Sequence, residues 1–243
     1  MKMTFPVLSV LLSAGIALAA DTAPTNQVAD GISKLKSAAS YSWTTTTKMV
    51  DSQFNIGPVK GQADKDGLAK YSQDFNGNAV EAVQKADKIS YKDQEGAWKL
   101  IAADAGFETF FAASLTRNGA AAQEALITLT NLVSVKTLDD GSIGGDFTTS
   151  GAADMLSFGP RRPAGAAPAE GGFAPPAPKN ASGSAKFWVK DGQLVKFETH
   201  LKGTVTFGDN EMNQDTTRTI EIADVGTTKL DIAADAKKLV EAK

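Results

Sequence analysis

The sequence predicts an α+β fold: one large antiparallel sheet curved into an unclosed half-barrel, with helices covering its concave side. Three observations carry this. In residues 186–207, KFWVKDGQLVKFETHLKGTVTF, Asp191-Gly192 separates two alternating runs, and Asp-Gly suits a two-residue hairpin whose central positions need positive φ. Downstream of that turn Val195, Phe197, Leu201, Val205 and Phe207 share one parity, while Lys196, Glu198, His200, Lys202 and Thr204 share the other. Such period-two alternation describes a long strand with one dry face. Shorter runs of the same kind, broken by Gly, Asn or Asp, lie on both sides of a single alanine-rich segment with helical period.

Taken in order, residues 1–20 read as a leader rather than fold. Lys2 is followed by an apolar run over 7–18, and Ala17-Leu18-Ala19 offers the small residues of a signal-peptidase site. The expected mature protein is therefore exported, beginning near Ala20 or Asp21. Residues 21–243 form one domain of about 220 residues, long enough to bury a core without staples. There is no cysteine, which excludes disulfides, thiolate metal sites and a lipid anchor of the bacterial lipoprotein type. For an exported chain that points to a bacterial periplasm or secreted location.

Val28, Ile32, Leu35 and Ala39 fall at helical spacing over 28–39. Tyr41, Trp43, Thr45, Thr47 and Met49 then alternate with Ser42, Thr44, Thr46 and Lys48, and a threonine run favours strand. Further strands are expected at 59–64, 68–75, 79–85, 89–92 and 97–101, turning at Asp66-Gly67, Asn76-Gly77 and residues 93–96. Over 102–129, Phe107, Phe110, Phe111 and Leu115 give one apolar helical stripe, and Asn118-Gly119 breaks the segment into two helices. Strands resume at 131–138 and 143–149, followed by a short helical turn at 152–158. Residues 159–183 are dominated by Pro, Ala and Gly with no apolar period, and read as a flexible surface insertion. Strands at 184–190, 193–207 and 216–225 and a closing helix or turn at 232–240 complete the chain.

Catalytic chemistry has few candidates. His200 is the only histidine, and its parity puts it on the wet face, where no cleft would hold it for acid–base work. Asp64-Lys65-Asp66, Asp139-Asp140 and Asp209-Asn210-Glu211 are the carboxylate clusters, all in turn segments and none with EF-hand spacing. No glycine pattern opens a helix after a strand. A formal charge of −3 with dispersed signs leaves no basic footprint for nucleic acid. Neither a metal nor a cofactor is expected, and an exported hydrolase is the weakest of three readings. The stronger two share one geometry. Either an apolar cavity lined by Tyr41, Trp43, Met49, Phe107, Phe110, Phe111, Leu115, Val195, Phe197, Leu201 and Phe207 holds a lipid-like ligand, or those side chains fill the space and the domain is an envelope scaffold or interaction module.

The element order and the hairpin Phe187-Trp188-Val189-Lys190-Asp191-Gly192-Gln193-Leu194-Val195-Lys196 resemble the LolA/LolB-like superfamily, which includes periplasmic lipoprotein carriers and LppX/LprG-type lipid-binding proteins. In that pattern a tryptophan-bearing strand, an Asp-Gly turn and a Leu-Val strand recur, matched here by Trp188, Asp191, Gly192, Leu194 and Val195. The resemblance implies an unclosed barrel with a helical lid and an acyl-chain cavity. It also implies a non-enzymatic, monomeric carrier or sensor whose partner is a lipid or acylated protein, with a membrane or envelope protein as a further partner. Two features depart from the pattern. The carriers place an arginine on an early strand, whereas the first arginine here is Arg117, and lipidated relatives need a cysteine that this chain lacks.

Overall fold

The computed structural model describes residues 23–50, 57–75, 78–101, 107–157, 177–207 and 210–242. The expected leader, most of the Pro/Ala/Gly-rich stretch and Arg161-Arg162 lie outside these residues. Helix α1 (Pro24–Ser37) opens with proline at its first turn and ends with Lys34 and Lys36 in its last, which suits the preset φ of proline and the helix dipole. A meander follows: β1 (Ser40–Met49), β2 (Val59–Asp64), β3 (Leu68–Phe75), β4 (Asn78–Lys85), β5 (Lys88–Lys92) and β6 (Trp98–Leu100). Helices α2 (Phe107–Thr116) and α3 (Ala121–Thr130) interrupt it. A second meander consists of β7 (Leu132–Thr137), β8 (Ile143–Phe147), helix α4 (Thr149–Leu156), β9 (Lys179–Lys190), β10 (Gln193–Phe207) and β11 (Asn210–Ala223), and α5 (Ala234–Glu241) ends the chain.

The strands form one 11-stranded sheet in the order β6-β5-β4-β3-β2-β1-β11-β10-β9-β8-β7. Every pairing is antiparallel. The end strands β6 and β7 do not pair with each other, so the sheet is an open half-barrel. Neighbours in the sheet are neighbours in sequence except at one seam, where β1 meets β11 from Ser42↔Ala223 to Met49↔Thr216. The seam joins the two meanders. The Asp191-Gly192 turn has both residues at positive φ (52° and 71°), as its sequence requires.

One face of the sheet is built in cross-strand rows. Ile143, Phe187, Phe197, Ile220, Thr45 and Val59 stand opposite one another across β8, β9, β10, β11, β1 and β2. Helices α1 to α4 cover this face, contributing Val28, Ala112, Ala125 and Ala152 to the same core cluster. Phe187 and Phe197 are fully buried and stacked at 5.9 Å. Not every helix lies there. In β3, Leu68 and Ala69 point to opposite faces; Ala69 joins the main core, whereas Leu68 packs with Val83, Ala236 and Val240 under α5. The closing helix therefore seals the other face of the first meander.

Helices α1 and α4 begin four and three residues before their expected starts at 28 and 152, and three further local features depart from the sequence expectation. A register shift between Leu194 and Lys196 leaves Val195 unpaired in β10, a β-bulge that reverses side-chain parity. Val195 is consequently half-buried, while Leu194 is 1% exposed and meets α1 where Gly31 leaves room: a Cβ at Gly31 would lie 3.1 Å from the Leu194 amide nitrogen. Second, β9 starts at Lys179, so the last residues of the 159–183 stretch are strand rather than insertion, with Ser182 opposite Lys202. Third, β11 starts at Asn210, six residues before the expected 216.

Gly61 shows how tightly the rows are built. It stands opposite Trp43, and a Cβ there would come within 2.1 Å of the indole ring. Trp43 packs edge-on against Tyr71 at 5.5 Å, so the ring cannot shift without disturbing that contact. Gly61→Ala should cost about 1–3 kcal/mol through overpacking, measurable as a lower urea midpoint. An unchanged midpoint would mean the ring relocates freely.

Candidate functional site

A cavity of about 250 Å³ lies between the sheet and helices α2 to α4. Its floor comes from β1, β2, β3, β10 and β11, its roof from the end of α2, the α2–α3 turn and the end of α4. Along β1 the inward residues run Trp43, Thr45, Thr47, Met49, a span of about 20 Å at ~3.3 Å per residue. All four line the cavity. Tyr71 flanks Trp43, while Leu201, Met155 and Leu156 stand near the Met49 end and Leu115 closes the roof. The walls are thus aromatic at one end and aliphatic at the other.

The middle is polar. Arg218 on β11 sits between Thr199 and Thr47 in register, and Thr216 sits between Leu201 and Met49. Arg218 Nη2 donates to Glu124 of α3 at 2.9 Å (Oε1) and 3.3 Å (Oε2), and Asn118 Nδ2 donates to the same Oε1 at 3.0 Å. Glu124 is only 3% exposed. A buried carboxylate of this kind is tolerated because it is paired and hydrogen-bonded. Arg117, from the α2–α3 turn, also lines the space and donates from Nη2 to the Asp154 carbonyl at 2.7 Å. Arg218 Nε and Thr216 Oγ1 are buried with no hydrogen-bond partner among the described residues.

Of the residues expected to line a cavity, Trp43, Met49, Leu115 and Leu201 do so. Phe197 is core, stacked on Phe187. Val195 is diverted by the bulge. Phe111 is half-buried in α2, and the side chains of Phe107, Phe110 and Phe207 lie outside the described residues. Tyr41 has a different task. The residue preceding α3, Ala120, makes no side-chain cap, and the buried Tyr41 hydroxyl accepts from the Ala122 N–H at 3.3 Å, satisfying one of the helix's orphan donors.

Burial pushes the Tyr41 phenol up to about 12, against the smaller opposing effect of the Ala122 bond, and pushes Tyr71 up as well. A phenol with a raised folded-state pKa stabilises the fold fully below its unfolded value of about 10 and loses that contribution as pH climbs through the folded value. Thermal stability should therefore fall between pH 10 and 12, with a shallower fall in Tyr41→Phe. That variant should also lose about 1 kcal/mol at neutral pH. An identical alkaline profile in both proteins would contradict this role.

The other charged groups serve structure. Asp64 Oδ1 accepts from the Asp66 and Leu68 amides at 2.9 and 3.0 Å, closing a turn. The Ser142 hydroxyl, with Lys186 behind it, holds Asp140 down to about 2. His200 bonds Asp215 at 2.7 Å beside Lys202 on the half-exposed face. Among the described residues no group of three or more His, Cys, Asp and Glu is placed to hold a metal.

Sequence reasoning missed Arg218, Glu124, Thr216 and Tyr71. For Arg218 a signal exists: it shares the parity of Ile220 and Ile222 on β11, a charged residue on the apolar side of its strand. Glu124 carries no such mark, because its partner is 94 residues away.

No family model matches the chain, and no curated protein matches it. Among solved structures, it is similar to the lipoprotein LppX of Mycobacterium tuberculosis, at 14% identity with a TM-score of 0.46, covering 87% of this chain and 99% of that one. It is also similar to LprF from Mycobacterium bovis, at 12% identity with a TM-score of 0.46, covering 88% and 97%.

Proposed function

We propose that this protein is a non-enzymatic binding protein for a single acyl chain or a comparable amphiphile, acting outside the cytoplasm after removal of residues 1–20. The observation that supports this most is the space left under α2 to α4. One end of the half-barrel face is packed solid around Phe187 and Phe197, yet beside it Trp43, Met49, Leu115, Met155 and Leu201 surround an open volume of about 250 Å³. A core packed for stability alone has little reason to leave one. That volume falls just below the usual range of about 300–1,000 Å³ for small-molecule pockets, which favours one chain over a multiply acylated lipid. A carrier or sensor of this kind works as a monomer and needs no cofactor.

No helix among the described residues is long and apolar enough to cross a membrane. Export is tested separately from binding. N-terminal sequencing of protein from the native envelope should begin near Ala20 or Asp21, and intact Met1 in the cytoplasmic fraction would refute it. For binding, titration with a fluorescent fatty acyl probe should be saturable and reversed by unlabelled decanoate. Met155→Trp, which fills the space, should abolish it while leaving the fold cooperative. Absence of saturable binding by the wild-type protein would refute the carrier and leave the scaffold reading, for which the filled Phe187–Phe197 region is the supporting observation.

A further inference from the structure

The polar band across the middle of the cavity has no role in a purely apolar site. Four inward positions of a buried sheet face, Thr45, Thr47, Thr216 and Arg218, are polar where valine or isoleucine would pack as well. Two of their atoms, Thr216 Oγ1 and Arg218 Nε, are buried and unsatisfied among the described residues. Thr216 is 9% exposed and lines the space. Leaving such groups unpaired is costly, and native structures rarely do so without a partner for them.

Two arginines and one carboxylate line the cavity: Arg117 is paired with Asp154 of α4 at 3.8 Å, and Arg218 with Glu124. Glu124 takes only Nη2 of Arg218. That bond holds the guanidinium beside the threonine row and leaves Nε buried without a partner among the described residues. A guanidinium beside a hydroxyl is a donor pair suited to a carboxylate or phosphate oxygen.

We propose that the Arg218–Thr216 pair is the head-group subsite of this cavity, and that its ligand is a single-chain amphiphile with an oxyanion head, a carboxylate or a phosphate. The head sits at the polar band, taking hydrogen bonds from Arg218 Nε and the Thr216 hydroxyl. The chain leaves the head past Met49 and Leu201, which share Thr216's cross-strand row, and lies against Met155 and Leu156. Glu124 acts as a positioning residue: it aims the guanidinium and keeps it from folding out toward solvent. The inference rests on the acyl-binding reading above but can fail while that reading stands.

The test compares three ten-carbon ligands, decanoate, decyl phosphate and decanol, by isothermal titration with the wild type, Thr216→Val, and the double variant Arg218→Met/Glu124→Gln. The double variant removes both charges together, so that no buried carboxylate is stranded. In the wild type, at least one of the two anions should bind about tenfold or more tighter than decanol, the effect expected of a charge-assisted hydrogen bond. Which anion wins tells a fatty acid source from a phosphorylated one, and either supports the proposal. Thr216→Val should weaken anion binding several-fold and leave decanol unchanged. The double variant should bind all three ligands within about twofold of each other. Equal wild-type affinity for decanol and both anions, or an anion preference that survives in both variants, would overturn the subsite while leaving a chain-binding cavity. Failure of all three ligands to bind the wild type would overturn both readings. Should the double variant not unfold cooperatively, Thr216→Val decides alone, since it replaces an unpaired hydroxyl with a methyl of the same shape.

Discussion

Arg218→Met should destabilise the protein by about 3 kcal/mol, and adding Glu124→Gln should recover most of that loss. Glu124 is 3% exposed and receives two of its hydrogen bonds from Arg218 Nη2. Removing one partner of a buried pair strands the other charge, at a cost of about 3–5 kcal/mol. The lower end applies because the Arg218 side chain is 31% exposed, and water reaching it softens the penalty. Changing both residues leaves no uncompensated charge, so the double variant should lie nearer the wild type than Arg218→Met alone. Urea denaturation of the four proteins in a double-mutant cycle measures the coupling. A single variant within 1 kcal/mol of wild type would mean that Glu124 is solvated through the cavity.

Phe197→Ala should cost about 3–5 kcal/mol, the range for deleting a fully buried aromatic side chain. Phe197 is 0% exposed, stacked on Phe187, and paired across β10 and β11 with Ile220. Nothing around it is free to collapse into the void. Met49→Ala is the informative comparison. Met49 is half-buried and borders a space that is already open, so the loss should be about 1 kcal/mol or less, while acyl-probe affinity drops. The pair of variants therefore separates packing from binding on one sheet face. If Phe197→Ala weakened probe binding with little effect on stability, the boundary between core and cavity would lie elsewhere.

The binding reading thus depends on a division within a single face. Across the rows, Phe187, Phe197 and Ile220 are packed against one another, and one to two rows along the same strands Arg218, Thr216, Thr47 and Met49 line the cavity. The Trp188 ring, on the opposite parity, is capped by Lys196 at 4.2 Å. That half-buried cation–π pair, worth about 0.5–1 kcal/mol, accounts for the tryptophan of the hairpin without any role in the cavity.

What the chain determined by itself was its class, most of its strands and the Asp66-Gly67 and Asp191-Gly192 turns, while the Asn76-Gly77 turn lies outside the described residues. Alternation and Asp-Gly or Asn-Gly pairs are local signals, since a hairpin needs only the two runs and the turn between them; β2 and β3 begin and end where their patterns do. The helical stripe of α2 and the break at Asn118-Gly119 were local too. Tertiary structure alone decided the seam between β1 and β11, the bulge at Val195 and the placement of α5 on the opposite face, because each depends on partners far off in sequence. The bulge matters most for the site. One extra residue turned Val195 away, brought Leu194 against Gly31, and left Phe197 in the core. Likewise Arg218 meets Glu124 only because the seam carries β11 beneath α3. Period-two reasoning can say that a residue faces inward; whether it finds packing or a cavity there is set by what lies across from it.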